Sequence, residues 1–188
     1  MLNNIAALLS DGVTAGATSF ESIATVTVGA GGSSSISFSS IPSTWTHLQV
    51  RALVRSNRSN AYDGMKMNFN SDTGNNYAWH YLYGDGASAT AAAGSTVGFI
   101  PLGDTAGDTA TANVFGATII DILDYKNTNK YKVSRTLGNY DNNGSGFIGL
   151  FSGLWQSTSA ISNITIIPYT GTAFKQYSSF ALYGIKGA

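Results

Sequence analysis

The sequence predicts an all-β protein, an antiparallel β-sandwich, and three observations carry that prediction. Only 11% of the residues are charged, against roughly 25% in an average soluble domain, and Glu21 is the single glutamate. A surface helix needs Lys, Glu, Gln and Arg on its wet side; this chain has Ser, Thr, Asn and Gly to place there. Second, apolar and polar residues alternate with period two in short runs. Third, clusters of Gly, Asn, Asp and Ser separate about ten such runs, roughly every 8–15 residues. Neither strand–helix alternation nor an internal repeat is visible, which sets aside doubly wound, propeller and solenoid folds. Long cross-connections alternate with tight hairpins, and that mixture favours a jelly roll.

Residues 1–19 read as an arm, with Leu2, Ile5, Leu8 and Leu9 as its apolar positions and a short helix as one conformation. Ten residues do not hold a helix alone in water, so the arm is expected to order on its own domain or on a neighbouring subunit. The sandwich domain is expected over 20–188. "FESIATVTV" (20–28) alternates, "GAGG" turns the chain, and "SISF" (35–38) follows. At "SIPSTWT" Pro42 cannot donate a ladder hydrogen bond, so it ends one strand and aims the next. Phe38 and Ile41 are expected to pin that corner into the core. "HLQVRALVR" (47–55) puts Leu48, Val50, Ala52 and Val54 on one face and His47, Gln49, Arg51 and Arg55 on the other, with Leu53 breaking the pattern. "MKMNF" (65–69) and "YAWHYLY" (77–83) are strands, the second expected to be covered on both faces. The Gly/Ala/Ser/Thr stretch 84–96 reads as a long loop or an ordered excursion. Strands follow at 97–102, 113–125, 130–139, 147–155, 161–169 and 178–185. In the last, Phe180, Leu182 and Gly184 share one parity and Ala181, Tyr183 and Ile185 the other, which predicts cover on both sides.

The formal net charge is zero, so no global field attracts nucleic acid. With no cysteine, disulfides and thiolate metal sites are excluded. The first Lys or Arg is Arg51, which does not fit a signal peptide, and no apolar run approaches the ~20 residues of a membrane helix. No membrane partner is therefore expected, and the Asn-x-Ser/Thr triplets at Asn57, Asn143 and Asn163 are read as accidental.

The run "FESIATVTVGAGGSSSISFSSIPSTWTHLQVRALVR" resembles the opening of a group of small tailed-phage virion proteins. Their pattern is a strand, a Gly/Ser turn, an I-x-F-x-x-I-P corner and then T-x-L-x-L/V. Ile36, Phe38, Ile41, Pro42, Thr46, Leu48 and Val50 fit it. "NFNSDTGNNY" (68–77) is similar to the group's FN-D-x-x-x-Y turn, and "SSFALYGIKGA" to its S-x-F-x-LYGI end. The resemblance covers 20–188 and not the arm. It implies a jelly-roll structural protein located in the virion, in capsid decoration, tail or fibre. Partners would be copies of itself, a trimer by analogy, and the major capsid protein or other virion proteins.

Few side chains offer chemistry. His47 and His80 are the only imidazoles, and His80, inside "YAWHYLY", is expected to be a stacked or hydrogen-bonded structural residue. Asp121 and Asp124 lie three apart in one strand, on opposite faces, which counts against paired-carboxylate glycoside chemistry. "DNNGSG" (141–146) mimics the start of a calcium loop but has Ser152 where the bidentate acid belongs; an Asn/Gly turn explains it. "GAGG" has no Lys and no following helix. Neither an enzymatic activity nor a cofactor or metal is expected. Trp45, Trp79, Trp155, Tyr77, Tyr81 and Tyr83 suit core packing, a protein interface or a sugar-stacking platform. Arg51, Arg55 and Arg58 form a local basic cluster suited to a surface patch or an inter-subunit ion pair. The expected interface set is thus Leu2, Ile5, Leu8, Leu9, Trp45, Arg51, Arg55, Trp155 and Tyr183. The main functional expectation is a capsid cement protein; the alternative is a fibre or receptor-binding module that grips a host glycan.

Overall fold

The computed structural model describes residues 19–187, so the arm positions Leu2, Ile5, Leu8 and Leu9 lie outside the described residues. The described chain contains twelve strands and no helix. They are β1 (Phe20–Thr27), β2 (Ile36–Phe38), β3 (His47–Val54), β4 (Tyr62–Phe69), β5 (Tyr77–Gly84), β6 (Ala89–Val97), β7 (Ile100–Ala106), β8 (Gly116–Leu123), β9 (Lys132–Asp141), β10 (Gly146–Trp155), β11 (Ile164–Pro168) and β12 (Ser179–Ile185). They form two antiparallel sheets. One has eight strands in the order β1-β12-β3-β8-β9-β10-β5-β6, the other four in the order β2-β11-β4-β7. The described chain is thus all-β, with the two antiparallel sheets of a β-sandwich, as its composition predicts.

The main core fills the space between the small sheet and one half of the large one. Leu48, Val50 and Val54 of β3, Ile120 and Ile122 of β8, and Phe180 and Leu182 of β12 face Ile36, Met65, Met67, Phe69, Ile164 and Ile166. Each strand supplies alternate residues, as a half-buried sheet requires. Phe38 and Ile41, both just ahead of the Pro42 corner, are buried, and the Pro42 carbonyl accepts a hydrogen bond from the Tyr125 hydroxyl. β12 lies between β1 and β3, so the alternating run at 179–185 is an interior member of the large sheet. Its inner side is closed by the core. On its outer side Phe20 stacks on Tyr183 at 4.8 Å.

Several expectations change. The 84–96 stretch contains β6, an edge strand paired along its length with β5. Its small side chains carry no apolar alternation, so backbone pairing alone fixes it. The aromatic residues of β5 do not cover both faces. Tyr77, Trp79, Tyr81 and Tyr83 all point inward, while Ala78, His80 and Leu82 point out and His80 is exposed. β9 inverts the usual rule: Lys132, Ser134 and Thr136 are buried, and Val133 and Leu137 are exposed. The small inward residues of β9 allow β7 to lie close above it, and a Cβ on Gly138 would stand 3.1 Å from the Leu102 carbonyl oxygen. The hydroxyls of Ser134 and Thr136, with that of Thr118 beside them on β8, are buried without a hydrogen-bond partner among the described residues.

Candidate functional site

Two surfaces stand out, and the sheet layout creates both. The four-stranded sheet covers only part of the eight-stranded one, so β10, β5 and β6 overhang the β7 edge. Under the overhang is a cleft of about 440 Å³. Its floor is aromatic, with Trp79, Tyr81 and Tyr83 from β5 and Phe147 and Phe151 from β10. Trp79 and Tyr81 lie parallel within 3°, ring centres 5.2 Å apart. Tyr81 packs on Phe151 at 5.3 Å and Tyr83 on Phe147 at 5.0 Å. Glycines make this packing possible: a Cβ at Gly94 would meet the Trp79 indole at 2.6 Å, and one at Gly149 would meet Phe147 at the same distance.

The cleft wall comes from the small sheet and its loops, with Arg58, Tyr62, Asp104 and Tyr169. Arg58 sits over the Tyr62 ring at 5.1 Å and donates to the Tyr62 carbonyl. Asp63 lies beneath, fully buried, its oxygens accepting from the backbone N–H groups of Thr170 and Gly171 at 3.1 and 3.0 Å. Burial, and after it the neighbouring charge of Asp63, push the Asp104 carboxyl up to about 6, with Arg58 opposing them. Among the described residues nothing donates a hydrogen bond to the Asp104 carboxylate.

That shift gives a sign for stability. Asp104 binds its proton more tightly folded than unfolded, so its ionisation weakens the fold as pH rises from about 4 through about 6. Below the unfolded-state value the penalty vanishes. Asp104→Asn is expected to raise the unfolding free energy by about 1–2 kcal/mol at neutral pH, less than the full shift implies because the group is partly open to solvent. The gain should be absent near pH ~4. Urea melts of both proteins across pH check this; a pH-independent difference would refute it.

The second surface is the outer face of the large sheet. One row of directly opposed residues runs Arg51–Ile119–Leu137–Leu150–Leu82–Ala91 across six strands. Leu53 and Ile148 flank it on the same face, and Leu123 and Val133 share that face beyond an intervening polar row. The large apolar residues of this face are between 40% and 60% exposed, and a shallow apolar depression lies at Leu82, Leu137, Ile148 and Leu150. A polar row, Gln49–Asp121–Arg135, borders it. There Asp121 accepts from Gln49 and Arg135, both at 2.8 Å. Soluble monomers rarely leave so continuous an apolar face to water.

The interface candidates of known position separate into two groups. Trp45 is buried against Gly184. Trp155 is buried too, parallel to Tyr77 at 6.4 Å, and its indole N–H donates to Asp72 at 2.8 Å. That bond, with help from Asn76, holds the Asp72 carboxyl below the usual carboxylate range. Arg55 is buried, and its guanidinium donates to the carbonyls of Thr111, Val114, Asp108 and Ala110. These three side chains serve the interior of the subunit. Arg51 remains exposed, over the Phe20 and Tyr183 rings at 5.3 and 5.7 Å, and Tyr183 stays half-buried.

The other candidates find local roles. His47 accepts the Asp124 backbone N–H at 3.0 Å, and Asp124 pairs with Lys130 at 2.6 Å. Asp121 and Asp124 thus belong to different contacts. "DNNGSG" forms a tight turn, with Asn143 and Gly144 at φ 55° and 104°. Among the described residues no group of three His, Cys, Asp or Glu is placed to hold a metal. Sequence reasoning missed Asp104 and the Leu82–Leu150 row; the signal available for the row was the apolar outward parity of β9 and β10. No known protein family, curated protein or solved structure matches this chain.

Proposed function

We propose that this chain is a structural subunit of a tailed-phage virion, a capsid cement or decoration protein that stabilises the particle through protein–protein contacts. The virion assignment rests on the resemblance of residues 20–188. The observation that carries the assembly role is the uncovered apolar row on the outer sheet face. Strand β9 turns Val133 and Leu137 outward, leaving apolar area in water that a partner covering this face would remove from it. The strand order supports a jelly roll. Without the β5–β6 and β9–β10 hairpins, the sheets read β1-β12-β3-β8 and β2-β11-β4-β7, the interleaving expected of two Greek keys. A trimer is the assembly we favour, with the shell protein as the second partner.

The test is Leu137→Glu with Leu150→Glu. Both side chains are exposed, but they stand directly opposite each other, so the two new carboxylates should cost the subunit about 1–2 kcal/mol, short of unfolding it. Sedimentation should show a trimer for the parent and a monomer for the variant, and the variant should fail to join particles in co-expression. A variant that assembles and incorporates like the parent would overturn the proposal. Quantitative mass spectrometry of purified particles separates the locations: abundance comparable to the shell protein means capsid, and a few copies per particle mean tail or fibre.

A further inference from the structure

We infer that the cleft beneath the β5–β10 overhang is a carbohydrate-binding site that takes the pyranose rings of a neutral glycan. This is a second activity, on a different surface from the assembly face and independent of it. Three observations converge. The floor offers an aromatic cluster with polar handles: Tyr81 stacks on Trp79 with ring centres 5.2 Å apart, and Tyr83 lies 5.4 Å beyond Tyr81, tilted by 41°, so the cluster presents ring edges, hydroxyls and the uncovered parts of its faces. Sugar C–H faces pack on such rings, whereas a purely aliphatic cleft would suit a lipid or an apolar peptide.

The second observation is unused hydrogen-bonding capacity. The Asp104 carboxylate and the hydroxyls of Tyr81, Tyr83 and Tyr169 bond to no described residue, although all line the cleft. A buried donor or acceptor left unmade costs free energy that a ligand recovers on binding. Sugar hydroxyls both donate and accept, so one ligand class satisfies the carboxylate and the phenols together. Third, Arg58 is the only cation among the described lining residues, and the nearby Lys66 ammonium lies over the Phe99 and Tyr169 rings at 5.4 and 5.3 Å. The Arg58 guanidinium is already engaged with Tyr62, so the site lacks the cation cluster that a nucleotide's phosphates would require. The volume, about 440 Å³, lies within the range of small-ligand sites.

A glycan array of neutral gluco-, galacto- and manno-oligosaccharides, probed with the full chain, identifies a ligand; titration of that ligand against Trp fluorescence gives affinity. We expect saturable binding, weakened at least ~10-fold by Tyr81→Ala and by Asp104→Ala. Both side chains border open space, and Asp104→Asn, a gentler change, guards against misfolding by preserving the shape. The Leu137→Glu/Leu150→Glu protein should bind the sugar like the parent, which separates failure of this site from failure of assembly. No bound glycan on the array, unchanged affinity in both cleft variants, or loss of binding only in the outer-face variant would each overturn the inference. So would release of a shortened sugar product.

Discussion

Replacing Arg55 by Met should cost about 3–5 kcal/mol of folding free energy, the range seen when one partner of a buried charge network is removed. The reason is local. The guanidinium makes four hydrogen bonds to backbone carbonyls of the 108–114 loop, at 2.9–3.1 Å. The Arg55 backbone is tied at the same place, its N–H donating to the Ser178 hydroxyl and its carbonyl accepting from Lys175. Met fills similar space but strands four acceptors, and a buried acceptor without a donor loses its full solvation. Arg55→Lys should recover little, because an ammonium cannot span four carbonyls arranged for a planar fork. Equilibrium urea unfolding of the isolated chain measures the loss. If Arg55→Met kept parental stability and failed only in assembly, the inter-subunit role would be restored and the loop-clamp account abandoned.

Gly184→Ala should be the next most damaging change, at about 2–3 kcal/mol. The added methyl would stand 2.3 Å from Cγ and Cδ2 of Trp45. Those atoms belong to the root of a buried ring and not to a flexible tip, so the indole must leave its place. The Lys186 ammonium also stands over this ring, 5.8 Å from its centre. The glycine in "LYGI" is thus kept for close approach, and its backbone needs no positive φ. A double-mutant cycle tests this. In a Trp45→Leu background the cost of Gly184→Ala should fall to about 0.5 kcal/mol, and strict additivity would refute the contact.

Much of the architecture was legible because alternation and turn chemistry are local. β3 shows it best: Leu48, Val50, Ala52 and Val54 face inward as their spacing predicts, and Leu53, the misfit, belongs to the exposed apolar face. The Asn143-Gly144 turn and the Pro42 corner follow from backbone preference alone. What could not be read depends on distant neighbours. β6 carries no pattern of its own and exists because β5 offers an edge. Arg55 sits at the end of an alternating strand, where spacing suggests an outward side chain; only the returning 108–114 loop supplies the carbonyls that draw it in. The tryptophans were ambiguous for a related reason, since burial depends on Gly184 for Trp45 and on Asp72 for Trp155. The cleft needs the unequal widths of two sheets, which no single segment encodes. Asp104 gains its altered acidity first from burial under the assembled sheets and then from Asp63, one strand away.

The pairing of β1 with β12, and of β2 with β11, sets the tempo at which this molecule forms. Phe20 lies beside Ile185 and Phe38 beside Ile164, so the outermost parts of the sandwich must be brought together across nearly the whole polypeptide. Closing such wide loops precedes most of the reward they bring, and β-rich chains dominated by remote contacts fold in roughly milliseconds to seconds, well behind helical bundles of equal size. The local hairpins β5–β6 and β9–β10 can zip early, leaving their leucines open to solvent while the rest waits. Crowding of nascent copies during that interval is where this protein would be most exposed to aggregation.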